Sequence, residues 1–250
     1  MTEPSFPSLE QRFDPLSCFH KTHHLAVSQT LARLSAADPR APACVRLALG
    51  EVYDMLRYCE RLTRAIGYHV VSWTEAQCPE RAVRIALHCD EQLWSIAGLG
   101  EAHGAVVSMN AGMRGQALVS LQQGVRAYAA HALKAMAHTE SEALAVLWAA
   151  HGDRELAQLE KAILGEFDST ELKYAMQWLI PAIHIGERVR IVSLLDEHDD
   201  DRLTGAFVAM SKDLLCRDDY EQLLEALAPA RTGAMAGMMH KVAARTRQVS

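Results

Sequence analysis

The amino-acid sequence predicts an all-α protein: an antiparallel four-helix bundle with additional short helices at its C-terminal end. Apolar residues recur every three or four positions over four long stretches, which is the spacing of an amphipathic helix. Alanine and leucine are abundant, whereas aromatic residues make up only 6% of the chain, and this composition favours helix over sheet. No run of alternating apolar and polar residues is long enough to build a sheet.

The four long helices are predicted from their apolar spacing and from the residues at their ends. The first ends before Asp38-Pro39, and Pro79 suits the first turn of the third. Gly67, followed by the β-branched pair Val70-Val71, is expected to end or bend the second. The predicted ranges are residues 16–35, 45–67, 79–107 and 116–150. Four helices of this length are typical of an antiparallel bundle.

Shorter elements are predicted after residue 150. Asp153 can cap a helix start, Asp168 and Glu171 have the spacing of a capping box, and Pro181 interrupts the helix that precedes it. The predicted short helices cover residues 153–165, 172–180, 185–195, 201–215 and 218–227. The chain is therefore expected to consist of four parts: a leader (1–15), the bundle (16–150), a C-terminal helical extension packed on the bundle (151–228) and a flexible tail (229–250).

Composition and charge exclude several classes of function. The chain has 25 Lys and Arg against 31 Asp and Glu, a net charge of −6, and a nucleic-acid partner would call for basic patches instead. There is no apolar stretch of membrane-spanning length and no basic segment followed by an apolar run at the start. A cytoplasmic protein with neither a membrane nor a nucleic acid as partner is expected. The six scattered cysteines are expected to be reduced thiols in the core.

Each of the four long helices carries a pair of polar residues four positions apart. Residues at this spacing share one face of a helix, so four such faces could converge at the centre of a bundle. Histidine and carboxylate are metal ligands, whereas arginine and glutamine are not expected in a di-metal site. The pairs are His20/His24, Glu60/Arg64, His88/Gln92 and His138/Glu142.

Further motifs accompany these pairs in the fourth long helix and in the C-terminal extension. They are His138-x-x-x-Glu142 followed by Leu147-Trp148, and Met176-x-Trp178-x-x-Pro181-Ala182 followed by Glu187-Arg188. Together with the segment Phe19-His20-Lys21-Thr22-His23-His24, they resemble the hemerythrin-like (HHE) family, in its bacterial form with a helical C-terminal extension. The resemblance covers about residues 15–228. It implies a bundle holding two irons, bound by histidines and bridged by two carboxylates, for O₂ binding, gas sensing or iron handling.

The resemblance assigns metal-ligand roles to five residues. His20 or His24 stands where the first helix donates a histidine, and His88 stands at the first of two histidines of the third helix. His138 and Glu142 stand at the histidine and the bridging carboxylate of the fourth helix. Each histidine could equally be a hydrogen-bonded core residue, and His138 with Glu142 could be an ordinary polar pair.

At three positions the chain departs from the family pattern. Glu60 falls where a histidine is implied, Arg64 where the second bridging carboxylate is implied, and Gln92 at the second histidine of the third helix. A guanidinium cannot bind a cation, but it can pair with two carboxylates. We therefore predict Glu60, Arg64 and Gln92 as polar core residues, with Arg64 between Glu60 and Glu142. A different register of the second helix would bring in His69.

Three functional hypotheses follow. The first is a hemerythrin-like protein with a degenerate di-iron site and no metal cofactor, which binds or regulates and is not an enzyme. The second retains iron or another divalent metal, on His20 or His24 with His88, His138 and Glu142, for sensing O₂ or NO or for handling iron. The third is a module that binds a small molecule in the vacated core cavity. A homodimer or another protein partner is compatible with each of these hypotheses.

Overall fold

The computed structural model describes residues 12–109, 111–197 and 201–228, and every regular element in these ranges is an α-helix. The all-α prediction is therefore confirmed for the described chain. The helices are α1 (Ser17–Ala36), α2 (Pro42–Glu75), α3 (Pro79–Ser108), α4 (Ala111–Ala150), α5 (Asp153–Gly165), α6 (Ser169–Ala182), α7 (Ile185–Glu197), α8 (Asp201–Leu214) and α9 (217–228). Residues 1–11 of the predicted leader and the predicted tail, 229–250, lie outside the described residues.

The second helix is longer than the sequence predicts. It continues through Gly67 and Val70 to Glu75 instead of ending or bending. A Cβ atom on Gly67 would lie 3.5 Å from the Cβ of Cys89 on α3, and the side chain of Val70 is fully buried. Gly67 therefore lies in ordinary contact with α3, and the packing of the two helices outweighs the weak helix propensity of glycine.

The first short helix after α4 begins at residue 153, as predicted, but its N-cap is Gly152 and not Asp153, whereas α6 begins at the capping box predicted from Asp168 and Glu171. The carboxylate of Glu155 accepts a hydrogen bond of 2.9 Å from the backbone N–H of Gly152. At α6, the Asp168 N–H donates to Glu171 Oε2 at 3.1 Å while the Glu171 N–H donates to Asp168 Oδ1 at 2.8 Å. This reciprocal pair is a capping box, and it satisfies backbone donors that have no partner within the helix.

The chain divides into two compact units, the first ending at Trp178 and the second beginning at Leu179. In the first unit, α1 and α3 each pack against both α2 and α4, and α5 packs against α2. Its core contains large side chains with almost no solvent exposure, among them Met55, Leu62, Ile85, Leu121 and Leu147. The first helix of the predicted C-terminal extension, α5, thus belongs to this unit. None of the helices in the described ranges is both long enough and apolar enough to span a bilayer.

In the second unit α7 packs against α8, and a buried arginine closes the end of α6. Nε of Arg188, at the start of α7, donates a hydrogen bond of 2.9 Å to the carbonyl oxygen of Ile180. The last carbonyls of a helix have no partner within the helix, so the guanidinium supplies one. Glu187 accepts a 3.1 Å hydrogen bond from the His184 N–H. The Glu187-Arg188 motif therefore has a structural role in this unit.

We predict that Arg188→Met lowers the free energy of unfolding by about 1–3 kcal/mol, because it leaves a buried carbonyl without its charged donor. Arg217→Met is the matched control: the Arg217 side chain is 86% exposed in a pair with Glu221, so its loss should change stability by less than about 0.5 kcal/mol. Urea unfolding of both variants measures the difference. Equal stability of the two variants would contradict the role given to Arg188.

Candidate functional site

The predicted ligands His88 and His138 are neighbours, but their rings are stacked. The ring centroids lie 4.7 Å apart and the ring planes differ by 17°. The lone pair of an imidazole nitrogen lies in the ring plane, and a bound metal stands about 2.0–2.1 Å from the nitrogen. Two parallel planes this far apart cannot both contain one metal ion. The stacked pair therefore does not fit a shared metal in this arrangement.

The third predicted ligand of this region, Glu142, is bound by two arginines of α3. Its carboxylate accepts hydrogen bonds of 3.0 and 2.8 Å from Arg84, and Arg81 lies 3.7 Å away. The hydrogen bonds from Arg84 lower the pKa of Glu142, with a smaller contribution from the charge of Arg81. The negative charge of Glu142 is therefore balanced by arginines of α3, and the ion pairs connect α3 to α4.

The two histidines predicted on α1 lie in different environments. His24 is exposed, whereas His20 is buried and its Nδ1 lies 2.6 Å from Oε1 of Glu140 on α4. The hydrogen bond from His20 is the main cause of the lowered pKa of Glu140. Neither histidine lies with His88, His138 and Glu142 in a group that could hold a metal ion, and residues 12–109, 111–197 and 201–228 contain no such group of three or more ligands. The residues present do not fit the di-iron centre that the family resemblance implies.

The predicted core position of Arg64 is wrong. Its side chain is 60% exposed and pairs with Glu60, itself 47% exposed, at 2.8 Å. Successive residues of a helix are rotated by about 100°. α2 buries Cys59, Leu62 and Ile66, and this rotation puts residues 60 and 64 on the outer side. The pair is a surface salt bridge of one helix, and Glu142 is bound by Arg84 and Arg81 instead.

The two other polar residues considered from the sequence lie apart from this pair. Gln92 on α3 is buried, with 6% of its surface exposed. His69 lies on the same helix as Glu60, and its Nε2 is 2.9 Å from Oε1 of Glu166, just after α5. Neither residue adds a ligand to the predicted metal set.

The interior of the first unit contains instead a hydrogen-bonded chain across three helices. Nε2 of His23 on α1 lies 2.9 Å from the hydroxyl oxygen of Tyr128 on α4, and both residues are at most 2% exposed. The Tyr128 hydroxyl also hydrogen bonds with the thiol of Cys59 on α2. Buried polar groups are stable only when they are hydrogen bonded, so this chain couples the positions of α1, α2 and α4.

A second set of buried contacts ties α1 to α2 and α5. The Cys18 thiol donates to Oε1 of Glu160 at 3.2 Å, and both side chains are fully buried. The Thr22 hydroxyl donates to the carbonyl oxygen of Cys18 at 2.6 Å and is also hydrogen bonded to Tyr58. These residues and the chain of His23, Tyr128 and Cys59 are called the interior polar network below.

The chemistry of the interior polar network is set by burial. Burial lowers the pKa of His23 to about 3 and raises the pKa of the Cys59 thiol to about 12. Burial also raises the pKa of Tyr128 well above its ordinary value. At pH 7 the imidazole is neutral and about one Cys59 in 10⁵ is a thiolate. These groups are therefore suited to fixed hydrogen bonding and not to proton transfer or nucleophilic attack near neutral pH.

Sequence reasoning missed His23 because it concentrated on His20 and His24, which are four residues apart. A signal was nevertheless present: His23 continues into Ala26, Val27 and Thr30 at intervals of three, four and seven, and all of these residues are buried. The predicted core position of the cysteines is correct for Cys18, Cys59 and Cys89, which are buried. It is wrong for Cys44 and Cys216, which are exposed, and Cys78 is only half-buried. All six thiols are free.

Comparison with protein families, with curated proteins and with solved structures finds no match for this chain. The hemerythrin-like assignment therefore depends on the sequence motifs and remains a prediction.

We predict that Arg64→Ala costs only about 0.3–0.5 kcal/mol of unfolding free energy, the usual contribution of an exposed ion pair at i and i+4. The measurement is urea unfolding at low and high salt, where the small difference should shrink further as salt screens the pair. A loss of several kcal/mol would show that Arg64 compensates a buried carboxylate after all.

We predict a pH dependence of stability that belongs to His23. The unfolded histidine binds a proton near pH 6.5 and the folded one only near pH 3, so unfolding takes up a proton between these values. Stability should therefore fall as pH is lowered through this window, by about 1.4 kcal/mol per pH unit. Between pH 8 and pH 5 the contribution amounts to about 2 kcal/mol.

His23→Gln tests this assignment because glutamine can keep a hydrogen bond to Tyr128 but does not titrate. The variant should lose less stability between pH 8 and pH 5 than the parent, whatever its stability at pH 8. Identical pH profiles of the two unfolding free energies would show that His23 does not carry this effect.

Proposed function

We propose that the chain is a non-catalytic binding or regulatory protein in which α1–α4 form a hemerythrin-like four-helix bundle without a di-iron centre. The observation that carries this proposal is the interior polar network. Its members fill the interior of α1, α2, α4 and α5 with groups that satisfy one another, at 2.9 Å between His23 and Tyr128 and 3.2 Å between Cys18 and Glu160. Such a network stabilises one arrangement of the helices.

The arrangement of the predicted ligands supports a metal-free interior. His88 and His138 are stacked, Glu142 is bound by two arginines, and His24 is exposed. Recruiting them to one metal would require the loss of the Arg84 hydrogen bonds and the rotation of both stacked rings. A single divalent metal on these residues is disfavoured for the same reason as a pair of irons.

The absence of catalysis is inferred from the titration of the buried groups. A general base needs a pKa near the working pH, and a cysteine nucleophile needs a substantial thiolate fraction. The pKa of His23 is lowered to about 3, well below a working pH near 7, and the pKa of Cys59 is raised to about 12, which suppresses the thiolate. Binding is favoured by the concave surfaces beside α2, where several cavities adjoin its outer side. We also propose a cytoplasmic location, where the six free thiols would stay reduced.

The proposal predicts that protein purified from iron-rich medium contains well under one metal ion per chain. Elemental analysis and an optical spectrum in air are the measurements, and the charge-transfer bands of an oxo-bridged iron pair should be missing. His138→Ala and His23→Ala serve as a matched pair: neither should change the metal content, and only the second should strongly destabilise the fold. Two irons per chain, or one metal that disappears in His138→Ala, would refute the metal-free bundle.

A further inference from the structure

A groove runs along the first unit between α2 and α3. It consists of a cavity of about 550 Å³ and an adjoining one of about 320 Å³. Tyr53 and His103 line both cavities, so the two form one continuous depression, called the α2–α3 groove below. The larger cavity has the volume of typical small-molecule sites, which is about 300–1,000 Å³.

The larger cavity is mainly apolar. Its aliphatic wall consists of Val45, Leu49, Val106 and Val107. The side chains of Val45, Leu49 and Val106 are buried, whereas Val107 is 55% exposed. The accessible apolar surface of this wall is therefore mainly that of Val107, and an apolar body that displaces water from it gains free energy.

The charged groups of the larger cavity are all of one sign. Arg46 and Arg114 line it, and none of the described residues that line it is acidic. This contrasts with the neighbouring surface of α2, where Glu171 pairs with Arg57 and Arg61. The larger cavity therefore presents guanidinium groups together with apolar surface, which suits an anion that has an apolar body.

The guanidinium of Arg114 is partly held by the chain just before α4. One of its terminal nitrogens donates to the carbonyl oxygen of Met109 at 3.1 Å. Its Nε is buried and has no hydrogen-bond partner in the described chain. A buried donor without an acceptor is costly. Because Nε is closed off from solvent, a ligand oxygen in the cavity could reach only the terminal nitrogens of Arg114.

His103 and Tyr53 shape the middle of the groove. Nε2 of His103 donates to the carbonyl oxygen of Leu49 at 3.0 Å, which holds the ring against α2 and leaves Nδ1 as an acceptor. The Tyr53 ring lies 6.2 Å from the His103 ring and is half exposed. The two rings form an aromatic wall against which an extended apolar chain can pack.

We propose that the α2–α3 groove binds a small amphipathic anion, with its acid group at Arg114 and Arg46 and its apolar body along Leu49, Val107 and the Tyr53–His103 pair. This inference rests on the proposed function as a binding protein and names the ligand class. It commits to a free organic carboxylate because the volume of the groove is that of a small molecule, and a neutral apolar ligand would offer the two guanidinium groups no acceptor.

Gly50 allows a direct test because it lines the larger cavity and its missing side chain points into open space: no atom lies within 4 Å of an added Cβ. Gly50→Leu would fill the groove without a clash, and leucine is the better helix former. The variant should unfold at the same or a higher temperature than the parent. Its affinity for decanoate, measured by isothermal titration calorimetry, should fall by at least about tenfold.

Gly98→Leu is the matched control. Gly98 is also helical, an added Cβ would also meet open space, and the residue does not line the α2–α3 groove. Decanoate affinity should be retained in this variant. Loss of binding in both variants, or in neither, would overturn the proposed site.

The role of the charge is tested with Arg114→Gln against Arg126→Gln, an exposed arginine of the same helix that does not line the groove. Arg114→Gln should weaken decanoate binding by about tenfold, the effect of losing one charge-assisted hydrogen bond, and should leave decanol binding unchanged. Arg126→Gln should change neither. Equal affinities of the parent protein for decanoate and decanol would overturn the anion preference.

Metal content measured on the same preparations separates the two proposals. A metal-free protein that does not bind decanoate would overturn the groove inference alone. A protein that retains iron refutes the metal-free bundle, and decanoate binding that is lost in Gly50→Leu would still support the groove.

Discussion

The first unit depends on one constraint: polar side chains removed from water must find partners inside the protein. His23 is 2% exposed and Tyr128 is 1% exposed, and they meet at 2.9 Å from different helices. Neither position is free to rotate, because a small rotation of α1 or α4 would leave a donor or acceptor unsatisfied. The hydrogen bond between Tyr128 and Cys59 extends the same constraint to α2.

This constraint also decides where the surface residues lie. Once Cys59 faces the interior, residues 60 and 64 must lie on the outer side of α2, where their ion pair is exposed. The same orientation leaves Tyr53 and Gly50 beside α3. The interior polar network and the α2–α3 groove thus lie on opposite sides of α2. The inner side is closed by hydrogen bonds between its polar side chains, and the outer side is open to solvent.

The helices could be predicted well from the sequence because their determinants are local. Asp153 begins α5 where predicted, and the capping box of Asp168 and Glu171 begins α6. The end of α2 could not be predicted in this way. Gly67 weakens a helix locally, and the packing of α2 against α3 that offsets this weakness involves residues distant in sequence, such as Cys89.

The candidate site was harder to predict for a geometric reason. Spacing by four residues shows that Glu60 and Arg64 share a face, but not which face is buried. That choice depends on the packing of the whole helix, including Leu62 and Ile66. The same difficulty applies to the neighbouring histidines of α1. Successive residues of a helix are about 100° apart, so spacing alone does not show that His23 is buried and His24 exposed. Contacts between distant helices, such as Cys18 with Glu160, have no signal in local spacing.

Because the six thiols differ in burial, the extent of thiol alkylation reports whether the helices of the chain have separated. Cys44 and Cys216 face solvent, while Cys18, Cys59 and Cys89 are enclosed, and burial raises the pKa of both Cys59 and Cys89 to about 12. Alkylating reagents attack thiolates that they can reach. The number of labels that one chain acquires, read as mass, therefore distinguishes the closed native molecule from one whose helices have separated, without any engineered probe.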